Sequence, residues 1–121
     1  MRLSQWKGSL WAAALSLMLV VGCASYSSES GGGKGGNPHV AQAIAHAQEA
    51  EDHGGMGHTD EVVTHAEVSL QHAQAAKKEM SNPHLDAGIA ELEEAISHGK
   101  AGDAAEAYKH ANSAVMHLKQ I

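Results

Sequence analysis

The ten histidines of this chain all fall on one seven-residue lattice. His39, His46 and His53 form one series, and His58, His65 and His72 form a second. The third reads His84, Glu91, His98 and the fourth Asp103, His110, His117, so the two non-histidine positions are carboxylates. Imidazole and carboxylate are the ligands of borderline divalent metals. One histidine beside an apolar stripe is ordinarily a half-exposed boundary residue, but ten on one lattice point to metal-ligand chemistry. Histidines seven apart on a helix are separated by about 10.5 Å of rise. That is too far to share an ion whose bonds are about 2 Å long. Each lattice residue therefore needs a partner on another element.

The elements come from a duplication. Asn37-Pro38-His39 recurs 45 residues later as Asn82-Pro83-His84, and the same offset carries every lattice position of the first half onto one in the second. Ile44 and Ile89, Glu49 and Glu94, Gly54 and Gly99, Gly57 and Gly102, and Glu61 and Glu106 repeat in step. Each unit reads as a helix, a glycine turn and a return helix. Asn37 and Asn82 are N-caps with proline at the first helical position. Gly54-Gly55-Met56-Gly57 and Gly99-Lys100-Ala101-Gly102 are expected to supply the C-cap and the link, and His58 or Thr59, and Asp103, start the return helices.

With the lattice placed at position g of a heptad, positions a and d are mostly alanine, valine or leucine, and position e adds Ile44, Val63, Leu70, Ile89, Ile96, Tyr108 and Val115. An apolar a/d/e stripe is the core face of a bundle helix. The expected fold is all-α, an antiparallel four-helix bundle made of two duplicated helical hairpins over residues 37–121.

Folding each unit about its glycine turn brings the lattice into register. In the first, residues whose numbers sum to 111 lie level: His53 with His58, His46 with His65, His39 with His72. In the second the sum is 201: His98 with Asp103, Glu91 with His110, His84 with His117. Each hairpin would carry three rungs of paired ligands, and helix rotation decides whether the rungs close within a hairpin or between hairpins. Glu49, Glu94, Glu61 and Glu106 each precede a histidine by four residues (His53, His98, His65 and His110), on one helical face, where they could ligate or orient it. Met56 reads first as a loop residue, though its sulfur could help hold Cu(I).

The bulk composition narrows the alternatives. The chain has 121 residues, enough for one small domain, and is 43% hydrophobic, much of it alanine with no phenylalanine. So thin a core often depends on a metal or on oligomerisation. A disulfide within the chain is excluded, because Cys23 is the only cysteine. The formal charge of −6, with no basic stripe, argues against nucleic-acid binding. An enzyme of the di-iron carboxylate kind would carry Glu-x-x-His pairs. Here glutamates precede histidines by four, and there is no arranged Ser or Cys nucleophile and no Cys-x-x-Cys-His haem site. No enzymatic activity is expected.

The first residues read as an address. Arg2 and Lys7 make a short basic region, and Ser9 to Val21 an apolar one too short for a comfortable membrane span. Val20-Val21-Gly22-Cys23 resembles the bacterial lipobox, which implies a signal peptide over residues 1–22 and a lipid on Cys23. Ala24 follows the cysteine, and by resemblance to lipoprotein sorting signals the lack of Asp there favours the outer over the inner membrane. Residues 23–36, the cysteine and a Ser/Gly-rich run, read as a flexible tether. The expected location is the cell envelope, on the periplasmic side, held by the lipid anchor.

The stretches HTDEVVTHAEVSLQHAQAA (His58 to Ala76), NPHLDAGIAELEEAISHGKAGD (Asn82 to Asp103) and YKHANSAVMHLK (Tyr108 to Lys119) resemble the His-rich small metal-binding proteins of bacteria. The resemblance covers Asn37 to Ile121. It implies a four-helix bundle that binds several divalent transition metals, copper among them, for buffering or scavenging. Glu91 and Asp103 depart from a histidine pattern, and the lipobox departs from the freely soluble periplasmic form. The expected cargo is copper first, with nickel, zinc and cobalt also suited to nitrogen and oxygen ligands. Two other roles fit the same sequence: a structural or interaction lipoprotein of the envelope, and a metallochaperone delivering copper to a partner.

Overall fold

The computed structural model describes residues 36–121. The leader, Cys23 and nearly all of the tether lie outside the described residues. Four helices follow one another: α1 (Pro38–Gly55), α2 (Thr59–Glu79), α3 (Pro83–Lys100) and α4 (Ala104–Leu118). Among the described residues there is no strand and no helix long and apolar enough to cross a membrane. Neighbours in sequence pack together, and α1 closes the ring against α4, giving the expected four-helix bundle of two hairpins.

The starts and stops follow local chemistry. The Asn37 side chain accepts from the backbone N–H of His39 at 2.8 Å and of Val40 at 3.3 Å, and Asn82 accepts from His84 at 2.8 Å. These bonds satisfy amides that a helix start leaves without partners. Asp103 caps α4 by accepting from the Glu106 amide at 3.2 Å, whereas His58, its counterpart before α2, makes no side-chain cap. In both turns the left-handed residue is the last glycine, Gly57 at φ 83° and Gly102 at φ 82°.

Met56 and Ala101, inside the two expected segments, are the C-caps of α1 and α3, while Gly54 and Gly99 have a different role. Both lie buried inside the last turns of α1 and α3. A Cβ on Gly54 would stand 3.0 Å from Tyr108 Cα, and one on Gly99 2.7 Å from Val63 Cγ2. These glycines let helices from different hairpins touch nearly backbone to backbone. Gly54→Ala forces α1 away from α4, and even with the helix propensity that alanine gains it is expected to destabilise the fold by about 1–2 kcal/mol. A thermal melt followed by circular dichroism checks this, with Gly55→Ala, whose Cβ would meet only the Tyr108 ring at 3.7 Å, as the tolerated comparison.

The buried stripe follows the a and d positions, with Val40, Ala43, Ala47, Ala50, Val62, Ala66, Ala73, Leu85, Leu92, Ala95, Ala107, Ala111, Ala114 and Leu118 shielded from solvent. The largest fully buried side chains are Leu85, Leu92 and Leu118, all from the second hairpin, so leucines of one half fill the space that alanines of the other leave. Ser69 is the one buried polar residue of this core, and its hydroxyl donates to the Ala43 carbonyl at 2.6 Å. Tyr108, expected in the apolar stripe, is 39% exposed. The close approach of Gly54 to its backbone leaves no room for the ring beneath, which lies over Gly55 instead.

Candidate metal centres

The lattice residues line the two seams where each hairpin closes on itself. All but His58 and Asp103 are half-buried, at the edge of the core rather than in it. The rotation left open by the sequence is thereby settled in the described residues: the contacts among lattice side chains run within a hairpin, one ladder between α1 and α2 and the other between α3 and α4.

In the first hairpin the level pairs meet. His39 and His72 bring Nδ1 to Nδ1 at 3.4 Å, and His53 and His58 do so at 3.5 Å. His46 and His65 stack with ring centroids 6.1 Å apart. Diagonal contacts close the gaps: His46 stacks on His72 at 5.9 Å and His53 on His65 at 5.2 Å. The rungs are therefore one zigzag column in the order His39, His72, His46, His65, His53, His58. The reason is the lean of a helical side chain toward its own N-terminus. In antiparallel helices the two sets lean in opposite directions, so backbones that are level put their rings between one another.

The second hairpin pairs its lattice residues in the same way, with carboxylates among them. His84 and His117 stack at 6.0 Å, His110 Nδ1 meets Glu91 Oε2 at 2.7 Å, and His98 stacks on His110 at 5.2 Å. Asp103 lies 3.9 Å from His98, its other oxygen engaged in the helix cap.

The four additional glutamates behave differently from one another. Glu49 turns away from His53, the residue four ahead, and its Oε2 stands 2.8 Å from His46 Nδ1 and 2.9 Å from His65 Nδ1. Glu94 joins His98 and His110. Glu106 is taken by Lys109 at 2.6 Å, a bond that raises the lysine's pKa, and is not brought to His110. Glu61 is exposed and in neither three-ligand cluster, and Met56 is 59% exposed in its turn.

Two groups thus offer three donor atoms within 4.8 Å of one another: His46, Glu49 and His65, and Glu94, His98 and His110. The spacings suit an ion. Two nitrogens about 2.0–2.1 Å from one tetrahedral ion stand about 3.3–3.4 Å apart, close to the separations across His39–His72 and His53–His58. The 2.8 Å and 2.9 Å contacts of Glu49 serve as hydrogen bonds to imidazole and are also short enough for cis ligands of one ion. His117 Nδ1 is buried with no hydrogen-bond partner, a donor atom for which the described residues supply nothing.

Packing within a column has an electrostatic consequence. Burial, and then the nearby His46 and His39, push the His72 pKa below its ordinary value. The unfolded chain therefore takes up this proton first, and stability falls as pH drops below about 6.5, levelling once folded His72 is itself protonated. In the metal-free protein, the melting temperature is expected to fall less between about pH 7.5 and about pH 5.5 in His72→Gln than in the parent.

The comparison with protein families decides what kind of chain this is. A family model described as small metal-binding protein matches residues 7–121. The chain belongs to the small metal-binding protein family. Comparison with curated proteins gives no match. The family's description agrees with the two three-ligand clusters, which could hold a metal, and with the histidine-rich helical bundle that carries them. Among the described residues the two three-ligand clusters lie on two separate seams rather than in one enclosed centre.

Proposed function

We propose that this protein is a non-enzymatic metal buffer of the cell envelope, taking up several divalent transition-metal ions on its two ladders. The observation that carries the reading is the continuity of the first column: every interior imidazole of the α1/α2 ladder has a neighbouring imidazole on both sides. Such a donor series offers overlapping sites of moderate affinity, and an ion can exchange one ligand at a time between them. That suits holding and releasing ions rather than fixing one for catalysis. Nitrogen and carboxylate donors suit Cu(II), Ni(II), Zn(II) and Co(II), with Cu(II) tightest by the Irving–Williams order. A lipid on Cys23 and a Ser/Gly tether would hold the bundle off the periplasmic surface of the membrane, the outer one by the residue after the cysteine.

Histidine binds metal only when neutral, so protons compete with the cargo. Calorimetric titration with Cu(II) is expected to give several ions bound near pH 7.5 and progressive loss as pH falls through about 6.5. Full binding retained at about pH 4.5, where imidazole is protonated, would contradict histidine ligation.

A further inference from the structure

The two ladders share a backbone but not a donor set. In the first, all six lattice positions are histidine, and one carboxylate, Glu49, sits between His46 and His65. Imidazoles flank this group on both sides, His72 against His46 and His53 against His65. In the second, Glu91 occupies the place of His46 and takes His110 at 2.7 Å. Glu94, the repeat mate of Glu49, goes instead to His98 and His110. Like charges three residues apart on a helix repel, so a carboxylate at position 91 turns Glu94 toward the opposite neighbour. Asp103 adds a third carboxylate 3.9 Å from His98. Two substitutions between the repeats, Glu91 for His46 and Asp103 for His58, thus accompany a shift of the three-ligand group toward the turn and surround it with oxygen.

We propose that the two hairpins sort their cargo by hardness: the α1/α2 ladder takes Cu(II) first, and the α3/α4 ladder takes a harder divalent ion of the Mn(II) class. This rests on the metal-binding reading of the ladders and adds to it a division of labour. Mn(II) stands at the foot of the Irving–Williams order and favours carboxylate and water over imidazole. Its attraction to a site is largely that of charge, and the His98/His110 group faces up to three carboxylates where the His46/His65 group faces one. Cu(II) gains more from nitrogen, and the first ladder offers it at every step. One molecule would then carry both ions at once, each on its own hairpin.

The experiment uses the full chain in detergent, with Mn(II) and Cu(II) added separately and together while the histidine ring protons are followed by NMR. Substoichiometric Cu(II) is expected to broaden His46 and His65 before His98 and His110, and Mn(II) to do the reverse. Glu91→His is expected to weaken Mn(II) binding by about tenfold or more, with the copper-sensitive resonances of the first ladder unmoved. The reciprocal His46→Glu is expected to bring Mn(II) broadening onto His65. Both positions are half-exposed, and a thermal melt of each variant confirms its fold. Parallel broadening of both ladders by both ions, or Mn(II) affinity unchanged by Glu91→His, overturns the sorting and leaves metal binding intact. Broadening by neither ion overturns both.

Discussion

Saturation with Cu(II) is expected to raise the melting temperature of this bundle by roughly 10–20 °C. An ion that binds only the folded chain, present at about 100 times its Kd, contributes about 2.7 kcal/mol. One kcal/mol moves the midpoint of a domain of this size class by about 4–8 °C. The effect is large because the core is small: apart from three leucines, Val62 and Ser69 the fully buried side chains are alanine, each of which removes little apolar surface from water. The ions would tie α1 to α2 and α3 to α4 along the seams that this core leaves half-open. Scanning calorimetry with and without Cu(II), and again after a chelator, measures the shift. Some copper will bind the histidines of the unfolded chain, which trims the gain without reversing it. An unchanged midpoint at saturation would mean that the ions bind folded and unfolded chains alike and that the ladders are not preformed sites.

The second large effect is expected at His65. It stands 2.9 Å from Glu49, stacks on His46 at 6.1 Å and on His53 at 5.2 Å, and so takes part in more of the first ladder than an end residue does. His65→Ala is expected to weaken the tightest copper step by about 100-fold, at least the loss seen when outer partners of a metal ligand are removed. His58→Ala, at the exposed end of the same column, is expected to change that step by less than about tenfold. Neither side chain is part of the buried core, so both metal-free variants should melt close to the parent. A competition titration against a coloured chelator separates the two, and equal losses would mean that the column does not act as a graded series.

Much of this was legible in the residues. The Asn-Pro-His duplication marked where each hairpin begins, the heptad phase named most of the buried a and d positions, and the level pairs His39–His72 and His53–His58 follow from folding about the glycine turns. Four features needed the structure. The diagonal contacts arise from the opposed lean of side chains across an antiparallel seam, which residue arithmetic does not contain. Glu49 has helical neighbours both three before and four after it, and the cross-seam presence of His65 selects His46 over His53. The burial of Gly54 and Gly99 within the last turns of their helices depends on the facing helix, where the nearness of Tyr108 and Val63 explains it. The divergence at Glu91 was visible as a departure from the lattice, but its effect on Glu94 was not, because that depends on which of two histidines a repelled carboxylate can reach.

In a metal buffer of this kind the lattice side chains themselves would hold the ions. The most direct test is a titration of the full chain in detergent with Cu(II), Ni(II) and Zn(II) in turn, followed by calorimetry and native mass spectrometry. A variant with His46, His65, His110 and His117 all changed to alanine is run beside it. The expected result is several ions on the parent and fewer, more weakly held, on the variant. Equal counts and affinities in the two, or no binding tighter than about 100 μM in the parent, a free energy of only about 5.5 kcal/mol, would contradict it.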